Sequence, residues 1–236
     1  MKWLIKLELA ETVRPDLRQA TDAYRQFHFG GGNPRTFDYD RYVYDDASGW
    51  KTLRAAIEDV VSAAVQINDA RIGAPPADGV AESFDLTSDV IGCGGSNARY
   101  GYPVTENWQK AIGGHFIWLQ ATVGVTFEQS RQTRTFDVKM TLNAEDMYNF
   151  NPGAADIATG IPDNDNGIFE LTGLGHEFLH TSKIQRSFSF KAPIQPTNDI
   201  HFKAQNLNVA KVVDPGIRSS PYETVDDIAK RHEGTT

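Results

Sequence analysis

The chain has 236 residues, 40% of them hydrophobic, and 31 Asp plus Glu against 23 Lys plus Arg, for a formal net charge of −8. That length can bury one good core or two small ones, but the acidic balance, without a basic run, speaks against a nucleic-acid partner, because tracking phosphates needs clustered cations. A single cysteine, Cys93, excludes an internal disulfide framework and any multi-cysteine metal site, and no apolar stretch approaches the ~20 residues that span a bilayer. The N-terminal run MKWLIKLELAETV is broken by Lys6 and Glu8 and is followed by no small-residue cleavage site. The expectation is cytoplasmic synthesis without a cleaved signal peptide.

Trp3, Ile5, Leu7 and Leu9 alternate and predict a strand. Residues 15–28 predict a helix with Pro15 and Asp16 in its first turn, ended by Gly30 to Pro34. That glycine triplet lacks the lysine and hydroxyl of a phosphate-binding P-loop and reads as a turn. From Trp50, the positions Leu53, Ile57, Val60, Val61, Ala64 and Ile67 keep helical spacing over about five turns, with Ser48 as the expected N-cap. The sequence GAPPADG stops this helix. A strand over 83–91, a glycine-rich loop around Cys93 and a short helix capped by Thr105 come next.

Two strongly alternating segments, 115–127 and 134–143, are joined by a polar linker and predict an antiparallel hairpin; a third strand is expected over 183–191. Residues 192–221 contain four prolines and read as irregular, before a final short helix, TVDDIAKRH. The fold class expected is α+β: a mainly helical N-terminal portion, residues 1–80, packed on a β-rich portion, residues 81–236. The late strands form an antiparallel sheet or a partly open β-barrel, and the whole chain is compatible with one compact domain.

The chemistry concentrates between Glu145 and His180. If the strand through Leu142 continues, Asp146 and Tyr148 keep the parity of its apolar face, which aims a carboxylate and a phenol inward at a strand end. Such a carboxylate suits metal binding or base catalysis, whereas a turn cap and a core tyrosine are the plainer roles. His176-Glu177-Phe178-Leu179-His180 matches H-E-x-x-H, in which two histidines one helical turn apart bind Zn2+ and the glutamate polarises a water. The flanking glycines Gly173 and Gly175, and the strand beginning near Lys183, leave room for barely two helical turns. Asp163 and Asp165 with Gly167 suggest a calcium loop, but the glycine falls one residue early, so a surface turn is the simpler reading. Cys93 has no fixed histidine partner, and His115 heads a strand on its apolar face as a core residue.

The run Asp146-Met147-Tyr148-Asn149-Phe150 resembles the D-x-Y-D-F element of colicin M-like bacteriocins, over roughly residues 115–190. The longer string from Tyr148 to Gly175 resembles bacterial proteins encoded beside type VI secretion and polymorphic-toxin genes. The first resemblance implies a partly open β-barrel that cleaves the lipid II peptidoglycan precursor between polyprenyl chain and pyrophosphate, with Mg2+. Asp146 would then be the essential carboxylate and Tyr148 its neighbouring phenol. The family's second aspartate falls on Asn149, and its His-Arg pair falls on Ala155 and Asp156. Charge neutralisation would pass to another residue such as His176 or Arg186, and Asp146, Asp156, Asp163 and Asp165 are the carboxylates available to a metal.

Three readings follow. In the first, the chain is an antibacterial effector, delivered to the periplasm of a target cell, that hydrolyses a cell-envelope lipid-linked precursor. In the second it is a zinc peptidase acting on a peptide through His176, Glu177 and His180. In the third it is a non-enzymatic adaptor, immunity or structural protein of a secretion locus. A secretion-system component and a cognate immunity protein are the partners these readings imply.

Overall fold

The computed structural model describes residues 2–71, 77–95, 97–150 and 164–194. It is an α+β fold. Helix α1 (Lys2–Val13) leads through a 3-10 turn (Pro15–Leu17) into α2 (Arg18–Phe29), and then a two-residue strand β1 (Arg35–Thr36) follows. Helices α3 (Tyr39–Asp45) and α4 (Ala47–Arg71) precede β2 (Ala81–Thr87), β3 (Ile91–Cys93) and α5 (Glu106–Ala111). The long strands β4 (His115–Glu128) and β5 (Thr133–Tyr148), helix α6 (Asn164–Leu171) and β6 (Phe178–Pro193) complete the described chain.

The predicted N-terminal strand is instead helical. Its alternation is short, and the Leu, Lys, Glu and Ala that make it up are among the strongest helix formers. The polar, aromatic stretch FDYDRYVYDD forms α3, started by the Asp38 side chain, which accepts the Arg41 N–H at 3.0 Å. The cap of α4 is Asp46 rather than Ser48. One Asp46 oxygen accepts both the N–H and the hydroxyl of Ser48 at 2.8 and 2.7 Å, and the other accepts the N–H and hydroxyl of Thr105 at 2.8 and 2.7 Å. Burial pushes the Asp46 carboxyl up, but the hydrogen bonds from Thr105 and Ser48 outweigh it and hold the group below its ordinary value. One carboxylate thus ties the starts of α4 and α5 together. The expected C-terminal helix, and most of the proline-rich stretch, lie outside the described residues.

The six strands form one mixed sheet in the order β1-β6-β5-β4-β2, with β3 also paired to β4, and it does not close into a barrel. β4 and β5 are the predicted hairpin, turned through Gln129–Arg131 and the left-handed Gln132 (φ 53°). β6 runs antiparallel to β5 along its full length and begins five residues earlier than the expected third strand, at Phe178. The N-terminal portion does not stand apart from the sheet. β1 pairs in parallel with β6, and one core runs from Phe37, Tyr42 and Leu53 through Trp108 to Val123, Phe136 and Ile184. A smaller aromatic cluster joins Ala23 and Phe27 of α2 to Tyr148, Phe150 and Phe178. No helix among the described residues is long and apolar enough to cross a membrane.

The α3–α4 elbow depends on a close backbone approach. A Cβ on Gly49 would lie 2.6 Å from the Tyr42 carbonyl oxygen and 2.8 Å from its carbon, atoms that cannot swing aside. Gly49→Ala is expected to destabilise the fold by about 1–3 kcal/mol, read as a lower urea midpoint at unchanged slope.

Candidate functional site

β5 extends to Tyr148, five residues past the segment whose alternation was legible, because its partners β4 and β6 continue alongside it. Ala144, Asp146 and Tyr148 are all buried and share the parity of the core positions Met140 and Leu142, so the carboxylate and the phenol face inward as expected. Asp146 is only 6% exposed. Tyr148 stacks on Phe178 (centroids 5.1 Å apart, planes at 23°) and meets Phe150 edge-on at 5.7 Å, which fixes its ring at the strand end.

The sheet register then brings together residues that are far apart in sequence. Asp146 is the direct cross-strand partner of His180, and His180 is the partner of Arg35 on β1. On the other side, the pairing that sets Phe116 opposite Glu145 brings His115 level with Asp146, and Cys93 pairs with His115. Direct cross-strand partners project to the same face about 5 Å apart. One rung of the sheet therefore reads Arg35, His180, Asp146, His115, Cys93 across five strands.

The members of this rung differ in their surroundings. His115 is fully buried, with Nε2 3.0 Å from the Tyr39 hydroxyl and Nδ1 3.2 Å from the Gly113 carbonyl. Burial lowers its pKa to about 4, against smaller opposing effects of the Gly113 carbonyl and Asp46. His115 is thus the satisfied core histidine that its position suggested. The Cys93 thiol is pushed up by complete burial and stays protonated, which does not suit a nucleophile. His180 lies between the rings of Phe37 (4.6 Å) and Phe178 (5.4 Å), and neither of its nitrogens has a well-formed hydrogen bond. Burial, then the neighbouring Arg35 cation, lower its pKa to about 3, against a weak polar contact with the Ala111 carbonyl. At neutral pH, His180 is an uncharged imidazole beside a buried carboxylate. Asn149, one residue past β5, is 1% exposed, and neither its amide oxygen nor its amide nitrogen has a partner among the described residues.

The H-E-x-x-H segment does not form a helix. Residues 176–177 are irregular and Phe178 to His180 open β6. His176 is exposed ahead of the strand and His180 is buried within it, so the two do not form the one-turn pair on a helix that grips one zinc ion. The cause is the pairing of β6 with β5, which overrides the local sequence. His176 is exposed, and the half-buried Glu177 lies in electrostatic reach of Glu170 instead. Burial raises the Glu170 carboxyl, Glu177 raises it further, and the Phe150 N–H at 3.4 Å partly offsets both. Arg186, expected near Asp146, lies six residues along β6 from His180, opposite Met140, and pairs with Asp40. Asp156 and Asp163 lie outside the described residues. Among the described residues, no three His, Cys, Asp or Glu side chains gather closely enough to hold a metal ion.

Arg35 is the residue that sequence reasoning missed. Nothing in GGGNPRTF marks it, apart from a glycine triplet that lets the chain turn sharply. Gly31 and Gly32 have φ of 59° and 78°, and a Cβ on Gly32 would meet the Glu177 carbonyl oxygen at 3.4 Å. That close passage sets β1 against the start of β6.

No protein-family model matches the chain, and no curated protein matches it in sequence. Solved structures similar to it include two bacteriocins. One is PaeM, a colicin M-like bacteriocin produced by Pseudomonas aeruginosa, at 13% identity and a TM-score of 0.37, over 74% of this chain and 51% of that one. The other is a mutant of syringacin M from Pseudomonas syringae pv. tomato DC3000, at 14% identity and a TM-score of 0.36, over 73% of this chain and 52% of that one. The chain spans about half the length of each.

Proposed function

We propose that this chain is an antibacterial toxin-like hydrolase that cleaves a polyprenyl pyrophosphate-linked precursor of the cell envelope, with Asp146 at its centre. The observation that carries this reading is the buried Asp146 carboxylate, facing inward at the end of β5 within the Asp146–Tyr148 motif, next to an uncharged His180. Phosphate-ester hydrolysis needs a positioned water, a group to take its proton and positive charge on the phosphoryl oxygens. In this reading Asp146 orients the water and accepts its proton. His180, uncharged, is placed to hold that water or a substrate oxygen by a hydrogen bond.

The metal expected with this chemistry is Mg2+, which is commonly held by one or two carboxylates together with substrate phosphates. Asp146 fits that sparse requirement, and the ion would supply Lewis acidity at the phosphoryl oxygens. Delivery through a type VI secretion system and neutralisation by an immunity protein belong to the same proposal.

The test is expression of the full chain directed either to the periplasm or to the cytoplasm of a susceptible bacterium. Periplasmic expression is expected to lyse cells and cytoplasmic expression to be tolerated; equal killing from the cytoplasm would sink the envelope reading. Tyr148→Phe separates the two roles of the tyrosine, because it keeps the ring contacts with Phe178 and Phe150 and removes only the hydroxyl. A fall of about tenfold or more in hydrolysis at unchanged melting temperature is expected if the phenol takes part in the reaction.

A further inference from the structure

We propose that Arg35, carried by the N-terminal strand β1, is the oxyanion-binding residue of this site and grips the phosphate group that Asp146 and His180 face, with the Asn149 amide as a second donor. The inference rests on the hydrolase reading and assigns the positive charge that this reading still needs.

A guanidinium carries five N–H donors in a fixed fork and seeks paired oxygen acceptors. Around Arg35 the described residues supply only part of that set. One terminal nitrogen is buried with no hydrogen-bond partner among the described residues, and the other forms an ion pair with Asp22 at 3.7 Å, too long for a hydrogen bond. Leaving a buried donor of a charged group unmade is costly, so such a group is normally satisfied by protein, water or a bound ion. Among the described residues the same holds for the 1%-exposed Asn149 amide, and the 2%-exposed His180 has only its weak contact with the Ala111 carbonyl. These three under-satisfied polar residues lie on neighbouring elements at one end of the sheet, just past the end of β5, at the start of β6 and on the paired strand β1. Their surplus is mostly of donors, and one of them is a permanent cation. A phosphate, with several acceptor oxygens and negative charge, is the complement.

The rest of the rung supports the same assignment. His115 is already engaged by Tyr39 and Gly113. Arg186 is occupied by Asp40 and lies about 20 Å along the strand from His180. Arg35 stands two strands from Asp146, about 10 Å between backbones, a separation that its long side chain can partly span. The phosphate belongs either to a free polyphosphate or to a prenyl-linked one, and both share this chemistry.

The experiment is calorimetric titration of the full-length protein with inorganic pyrophosphate and, separately, with farnesyl pyrophosphate. The wild type, Arg35→Ala, Arg35→Gln and Asn149→Ala are compared, with Arg131→Ala on the distant hairpin turn as control. Circular dichroism checks each fold, and Arg35→Gln keeps the length of the side chain if Arg35→Ala proves unstable. Losing Arg35 is expected to weaken pyrophosphate at least tenfold, in line with a charge-assisted hydrogen bond. Losing Asn149 should weaken it several-fold, and Arg131→Ala should bind as the wild type does. Tighter Arg35-dependent binding of the farnesyl compound identifies a lipid-linked source, and equal binding identifies a free one. Binding by Arg35→Gln equal to the wild type, or none by the wild type up to about 10 mM, overturns the assignment. Arg35-dependent binding without periplasmic toxicity would uphold Arg35 and remove the envelope reading. Full toxicity of an Arg35→Gln protein that no longer binds pyrophosphate would do the reverse.

Discussion

Asp146→Asn is expected to lower hydrolysis of a lipid-linked pyrophosphate substrate by ~10²–10⁴-fold, the range usual for losing a positioned proton-transfer group, and to abolish killing from the periplasm. Asparagine matches the shape of the carboxylate, so the β5–β6 pairing through His180 should survive and the circular dichroism spectrum should not change. The check is release of pyrophosphate-linked product from the precursor by purified wild type and variant, beside colony survival under periplasmic expression. The contrast with Asp137→Asn is informative, because Asp137 is an exposed carboxylate on the other face of the same strand and lies beside Ser189. That variant should remain fully toxic. An Asp146→Asn protein that kills as well as the wild type would leave the buried carboxylate as a structural feature only.

The second large effect is loss of stability in mild acid. His115 and His180 are both held uncharged in the fold, at about 4 and about 3, against 6.5 for an unperturbed histidine. For a base whose folded pKa is depressed, the unfolded chain binds the proton first. The stabilising difference is therefore complete above about pH 6.5, and it is lost progressively as the pH falls towards 4 for His115 and towards 3 for His180. At 1.36 kcal/mol per unit, His115 alone is expected to remove roughly 3 kcal/mol over that window, a large share of a typical folding free energy. Urea unfolding at pH 7.5, 5.5 and 4.5 measures it. His115→Gln should be less stable than the wild type at pH 7.5, having lost the Tyr39 contact, but should show a shallower decline into acid. Parallel declines for the two proteins would show that His115 does not carry the effect.

The sequence by itself determined the features that repeat locally. The hairpin of β4 and β5 follows from ten-residue alternations, and α4 follows from helical spacing held over five turns. Hence the α+β class, and the inward aim of Asp146 and Tyr148 as a matter of strand parity, were readable from residues alone. Short-range patterns misled where tertiary pairing competed with them. Trp3 to Leu9 alternates like a strand yet lies in a stretch rich in helix formers. His176 to His180 carries the letters of a zinc helix, yet from Phe178 onward it is drawn out along β5. In both cases a few residues of pattern weighed less than propensity in the one and a full-length strand partner in the other.

Only the tertiary structure decided the composition of the site. Arg35, Asp146 and His180 are separated by more than thirty residues each, and nothing in the intervening sequence relates them. What relates them is register, set by the parallel pairing of β1 with β6 and the antiparallel pairing of β6 with β5. A slip of one residue in either ladder would turn one of these side chains to the opposite face. The sequence therefore contains the acid, the imidazole and the cation, and the sheet alone puts them on one rung.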